Sequence, residues 1–166
     1  MRILLTFLLA SVALSIVGWS DYAKAEPPTQ IAQSHIESVH ASDLEITIRD
    51  LGGQDIVIGT DSYGDPEITA NYNGLLFTVL FYQCDGEYCN QFQFRAGFET
   101  DRRTAREVST AQNTDLVFGK GYVDGDGDAV VELAISTRGG VTMDFLYAQT
   151  ELWFEILTDF GAELGY

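Results

Sequence analysis

The sequence predicts an α+β domain: an antiparallel sheet of five to six strands with helices packed on one side, in the order α-β-β-β-β-α-β-β-α. Three observations carry that expectation. Alternating apolar and polar runs recur through the middle of the chain, the connections between them are too short for parallel crossovers, and capped segments with apolar stripes stand at both ends.

The first helix is expected where Ser42-Asp43-Leu44-Glu45 has the form of a capping box. Leu44, Ile48 and Leu51 then share one helical face before Gly52-Gly53 ends it. Because Ile46, Thr47 and Ile48 are β-branched, the caps and the spacing carry this reading, not propensity. Strands follow at residues 55–60 and 67–72, separated by the turn-forming Asp61-Ser62-Tyr63-Gly64-Asp65-Pro66. Asn73-Gly74, a strong hairpin signal, leads into residues 75–83. There Phe77, Val79 and Phe81 form one face and Leu76 and Leu80 the other, as in a central strand covered on both sides.

Cys84 and Cys89 bracket the next turn and are expected to form a disulfide, because the N-terminus points to export into an oxidising compartment. Closing so short a loop contributes on the order of 2 kcal/mol by chain entropy. Redox chemistry of the thioredoxin kind needs two residues between the cysteines, and a zinc site would have to recruit His35 and His40 from a distant leader. Beyond the turn, Phe92, Phe94, Ala96 and Phe98 alternate with Gln91, Gln93, Arg95 and Gly97, giving one core face and one polar face.

Residues 99–113 form a charged helix with Ala105, Val108 and Ala111 at three-residue spacing. Two further strands are expected at 116–123 and 129–136, the second with Val131, Leu133 and Ile135 inward and Glu132 and Ser136 outward. Between them, residues 124–128 place aspartates at alternate positions. An EF-hand loop starting at Asp124 would need Gly at Ala129 and a bidentate Glu at Ile135, so the stretch is read as a hairpin turn with at most weak attraction for cations.

Thr142 caps a long final helix carrying Phe145, Leu152, Ile156 and Phe160, widened by Leu146, Trp153 and Leu157. That stripe exceeds what one helix-on-sheet contact uses. Its second partner is either the first helix or the same surface of a second chain, and a homodimer with Trp153 at or near the interface is the expectation.

At the N-terminus, Arg2, the apolar run of residues 3–17 and Ala23-Lys24-Ala25 before Glu26-Pro27-Pro28 have the order of a secretory signal peptide, 1–25, cleaved near Ala25. The run is short of the ~20 residues that span a bilayer, so no membrane association is expected after cleavage. The mature chain is expected to be periplasmic or secreted, with a flexible leader at 26–41 and one domain at 42–166. The whole chain carries a formal charge of −16, and losing Arg2, Lys24 and Asp21 with the signal peptide takes it to −17. Such a surface repels phosphate backbones, which disfavours nucleic acid, and no nucleic-acid partner is expected.

Catalytic constellations are scarce. A Ser-His-Asp or Cys-His arrangement would have to use His35 or His40, and Cys84 is expected to be oxidised. No spacing singles out a pair of carboxylates, and Gly119-Lys120-Gly121 lies in a strand without a helix N-terminus after it. No cofactor, metal site or catalytic residue is expected.

One set of residues resembles a known family. Gly64-Asp65-Pro66, Asn73-Gly74 with Phe77, Phe81-Tyr82 and Cys84 come first. They are followed by Phe92-Gln93-Phe94-Arg95-Ala96-Gly97-Phe98, by Phe118-Gly119-Lys120-Gly121-Tyr122 running into Asp126-Gly127-Asp128, and by Gly139-Gly140-Val141. Together they make the chain similar to the YbjN family, a bacterial group described as sensory-transduction regulators with a fold like that of type III secretion chaperones. The similarity spans about residues 42–160. One departure is Gln112-Asn113, where members commonly show Trp-Asn. The resemblance implies a non-catalytic domain and assigns no site residue; the chaperone likeness also raises the expectation of a dimer. Export argues against a literal secretion-chaperone role, since those chaperones meet clients in the cytoplasm. The expected function is therefore a periplasmic module that binds a protein or peptide through an outer sheet face bearing Tyr82, Gln91, Gln93 and Arg95. The alternative is a hydrolase using two carboxylates, which requires a cleft holding an Asp or Glu with a raised pKa.

Overall fold

In the computed structural model residues 34–115 and 117–166 are described. The expected signal peptide and the first part of the leader lie outside the described residues. The elements run β1 (His35–Ile36), β2 (Val39–His40), α1 (Ala41–Asp50), β3 (Gln54–Thr60), β4 (Pro66–Tyr72), β5 (Leu75–Asp85) and β6 (Tyr88–Phe98). They continue with α2 (Arg102–Asp115), β7 (Lys120–Val123), β8 (Ala129–Ser136), β9 (Val141–Thr142) and α3 (Met143–Leu164). The main sheet has the order β3-β4-β5-β6-β8-β7, antiparallel at each pairing. β2 joins β6 where β8 leaves it: Gln91 pairs with Ser136, whereas Cys89 and Tyr88 pair with Val39 and His40. β1 and β9 form a separate two-stranded pairing.

The period-2 pattern decides which side is core. Ile68, Ala70, Phe77, Val79, Phe81, Phe92, Phe94, Ala96, Phe98, Val131, Leu133 and Ile135 are all buried on the inner face. α3 lies on it, with the Trp153 ring stacked on Phe94 at 5.4 Å between centroids and edge-on to Phe77 at 6.0 Å. Farther along, Phe154 stacks on Tyr72 at 3.8 Å, and Phe160 meets Phe98 at 5.7 Å. α1 buries Leu44, Thr47 and Ile48, and its Thr47 hydroxyl meets that of Thr150 at 2.8 Å, which joins α1 to α3 inside the core. α2 adds Ala105 on the other flank.

Several expectations are corrected. The wide stripe of α3 is satisfied within one chain, since Leu146, Trp153 and Leu157 are 0% exposed; Trp153 is core and presents nothing to a second chain. The leader is built into the fold from His35 onward: His35 pairs with Thr142, and Val39 is fully buried. The N-cap of α1 is His40 and not Ser42. The His40 ring Nδ1 accepts from the Ser42 amide at 3.1 Å, and the Asp43 carboxylate accepts from the His40 amide at 2.9 Å, so the reciprocal capping logic holds two residues earlier. On α2 the buried positions are Ala105, Ser109 and Gln112, while Ala111 points out. The strand expected at 116–123 is confined to Lys120–Val123, with Val117 and Phe118 exposed before it. Thr142 caps α3 as expected, its hydroxyl accepting from the Phe145 amide at 3.2 Å.

Burying a Trp removes roughly 150–250 Å² from water, and Trp→Ala in a core costs about 3–5 kcal/mol. Trp153→Ala is therefore expected to lower the urea midpoint sharply while leaving the native-state mass unchanged. A variant that altered association with the midpoint unmoved would place Trp153 outside the core.

Candidate functional site

Among the described residues, the face opposite α3 carries no helix. Its rows follow from strand register: Val57, Thr69, Thr78, Arg95, Glu132 and Lys120 lie side by side across six strands. A second row runs Gly59, Glu67, Leu80, Gln93 and Ala134, and a third joins Tyr82, Gln91 and Ser136. Cross-strand neighbours on one face stand about 4.5–5.5 Å apart at Cβ, so these side chains form one continuous surface.

Tyr82, Gln91, Gln93 and Arg95 all point to this outer face. The Tyr82 hydroxyl donates to Gln93 Oε1 at 3.0 Å, and Gln83 Nε2 donates to Gln91 Oε1 at 3.3 Å. Arg95 stands opposite Glu132, with Nε 3.5 Å from Oε1. That carboxylate is the hub: the Tyr122 hydroxyl donates to Oε1 at 2.6 Å, and Lys120 Nζ lies 3.9 Å from Oε2 and 4.7 Å from the centre of the Tyr122 ring. Glu132, Tyr122 and Lys120 are thus members of the site that sequence reasoning did not select. Glu132 was legible as outward-facing; its pairing with Arg95 depends on register between strands some forty residues apart.

Partial burial and the Glu132 carboxylate both oppose ionisation of Tyr122, so its pKa is raised. Burial and then the charge of Glu132 raise that of Tyr82 as well. Burial disfavours the Arg95 cation, but Tyr122 and Glu132 beside it outweigh that and raise its pKa. The cluster therefore holds neutral tyrosines beside an Arg-Glu pair at physiological pH. It is a fixed set of donors and acceptors, suited to recognition.

At residues 124–128 the chain makes the expected turn. Asp124 Oδ1 accepts from the amides of Asp126, Gly127 and Asp128 at 2.9–3.0 Å, and those bonds hold its carboxyl below the usual range. Asp128 Oδ1 accepts from the Thr100 amide at 3.3 Å. Asp101, the cap of α2, is likewise held low, first by the Thr104 hydroxyl and amide. His40 is spent on capping α1, its Nε2 3.5 Å from Glu87.

Cys84 and Cys89 are joined, directly opposite one another near the end of the β5–β6 hairpin. The Gly-Lys-Gly motif has a structural explanation. Asn113 closes the outer edge of β7 by accepting from Gly121 N at 2.9 Å and donating to Gly121 O at 2.8 Å, while Gln112 donates to Phe118 O at 3.0 Å. α2 lies so near that a Cβ on Gly121 would stand 2.9 Å from Ser109 Cα.

Comparison with known proteins gives one family and one solved fold. The YbjN family model, described as "Putative bacterial sensory transduction regulator", matches residues 40–165. The crystal structure of YbjN from E. coli superposes with a TM-score of 0.55 at 16% identity, covering 76% of this chain and 91% of that one. At that identity the likeness concerns the fold. No curated protein matches the sequence.

Because the Tyr122 pKa lies above its ordinary 10.0 in the folded chain, the folded state holds the phenolic proton more tightly than the unfolded state. Its contribution to stability is complete below the ordinary tyrosine range and is lost as pH rises through that range to the raised value. In an ultraviolet difference titration, with Tyr122→Phe assigning the transition, Glu132→Gln is expected to move tyrosinate formation at Tyr122 to lower pH. An unmoved transition would remove Glu132 from the contact.

Proposed function

The chain belongs to the YbjN family, and on that footing we propose that it is a non-catalytic regulatory module, exported to the periplasm, that binds a protein or peptide through the outer sheet face. The observation that carries this reading is the Tyr82, Gln93, Arg95, Glu132, Tyr122 and Lys120 surface, where polar groups are already paired and oriented before any partner arrives. Such preorganisation reduces the ordering cost of association. Beside it the same face exposes Leu76 and Val57, each 63% accessible, which supplies apolar area next to the polar network.

Export is supported by the N-terminal order of Arg2, apolar run and Ala23-Lys24-Ala25, and by the Cys84–Cys89 disulfide, which suits an oxidising compartment. No helix among the described residues is long and apolar enough to cross a membrane. A carboxylate hydrolase would need an acid held protonated; Asp101 and Asp124 are displaced in the opposite direction, by hydrogen bonds to their ionised forms.

A photo-reactive amino acid placed at Tyr82 in cells, compared with one at the exposed Glu155 of α3, tests both parts. The expected outcome is a discrete adduct from Tyr82, absent from Glu155, weakened by Arg95→Glu and recovered in the periplasmic fraction with a chain starting near Glu26. Equal adducts from both positions, or an unprocessed chain in the cytoplasm, would contradict the proposal.

A further inference from the structure

The two edges of the main sheet are treated differently. At β7, Asn113 occupies the N–H and C=O of Gly121 that a further strand would use, and α2 lies against it. Nothing comparable closes β3 among the described residues. Six of its seven residues are exposed, including Val57 and Ile58, the latter at 43%. An edge strand leaves alternate N–H and C=O groups unpaired, a template for another strand. The usable stretch is Val57–Thr60, where register with β4 is unbroken; before it a bulge at Asp55, with φ +51°, turns the chain.

Charge narrows the occupant. No Lys or Arg stands between Arg49 and Arg95, whereas Asp55, Asp61, Asp65 and Glu67 lie on or beside this edge. Arg49 itself is paired with Glu45. Antiparallel pairing of two copies centred on Ile58 would bring Asp55 of one opposite Asp61 of the other, so the edge repels itself in that register. A cationic segment meets no such cost.

Side-chain space on the two faces gives the pattern. Outward, Gly59 has no atom within 4 Å of where its Cβ would be, and Glu67 is its cross-strand neighbour, so a side chain from an added strand can cross Gly59 to reach that carboxylate. Inward, a groove of about 340 Å³ is lined by Ala41, Ile58, Thr60, Pro66 and the Gly86-Glu87 turn, with space for an apolar side chain. We propose that the free edge of β3 takes up an extended segment of another protein in which Lys or Arg alternates with apolar residues. The cations face Glu67 across Gly59 and the apolar residues enter the groove. The groups used here stand on β3 and β4, at one end of the outer face, whereas Tyr82, Gln91, Gln93 and Arg95 stand on β5 and β6, so pairing at the β3 edge is tested separately from binding at those residues.

The test uses a capped Lys-Val-Lys-Val-Lys-Val peptide titrated into the disulfide-bonded, isotope-labelled protein, with amide spectra and hydrogen exchange as readouts. Saturable shifts and new exchange protection are expected at Val57–Thr60. Glu67→Gln should weaken binding by about threefold, the size of one partly exposed ion pair. Gly59→Lys, at an exposed position with open space, should weaken it by roughly tenfold or more by blocking the crossing and repelling the cations. A Glu-Val peptide and a Lys-Val peptide with alternate amides methylated should not bind. Binding of the methylated peptide at equal strength would reduce the effect to charge alone and overturn the proposal. Shifts centred on Tyr82–Arg95, no shifts at all, or self-association through β3 without peptide would also overturn it.

Discussion

The molecule is organised by the need to cover one face of its sheet, and the Trp153 contact with Phe94 and Phe77 meets that need at the centre. Its cost is visible: the Trp153 indole N–H has no acceptor among the described residues, a loss of about 1–3 kcal/mol. Removing a Trp side chain from water gains roughly 4–6 kcal/mol at about 25 cal/mol per Å², so burial wins. With α3 seated there, α1 and α2 fill the flanks, and Thr47 joins Thr150 between helices. The three helices among the described residues are all used on the inner side, which leaves the outer side without a helix from these residues.

The same economy explains the glycine-rich motif before the acidic turn. Gly121 sits under Ser109 and receives both hydrogen bonds of Asn113, so one edge of the sheet is sealed by a helix side chain in place of a strand. Asp124 then ties three amides of the following turn to one carboxylate oxygen. In the fold, these residues close a sheet edge and tie a turn. Among the described residues, the opposite edge, β3, has a bulge and a run of carboxylates to discourage self-pairing.

Strand existence was legible because alternation reports exposure directly, as at Phe92 to Phe98, where buried and outward positions fall as read. The long helix was legible from Thr142 and its stripe. Less legible was anything that depends on two distant segments at once. Leu76 and Leu80 suggested a strand covered on both sides, yet Leu76 faces outward at 63% exposure, because sequence does not say how many layers a sheet receives. The stripe through Trp153 suggested a second chain when its second row was answered by α1. Ser42 offered the better capping residue, but pairing of Val39 with Cys89 delivers His40 to the cap position first. Of the outer face, Tyr82, Gln91, Gln93 and Arg95 could be read from one hairpin; Glu132, Tyr122 and Lys120 needed the β6–β8–β7 register.

One face of the sheet is sealed by the chain's own helices, and under the proposed function the other is read by a partner. Hydroxyl-radical footprinting of the purified protein, set beside the same protein footprinted inside cells, tests it most directly. Oxidation of Tyr82, Leu76 and Tyr122 is expected in the purified protein, with suppression of that oxidation in cells and protection of Trp153, Phe94 and Phe77 in both. Oxidation of Trp153 in the folded purified protein, or equal labelling of the outer face in both settings, would contradict it.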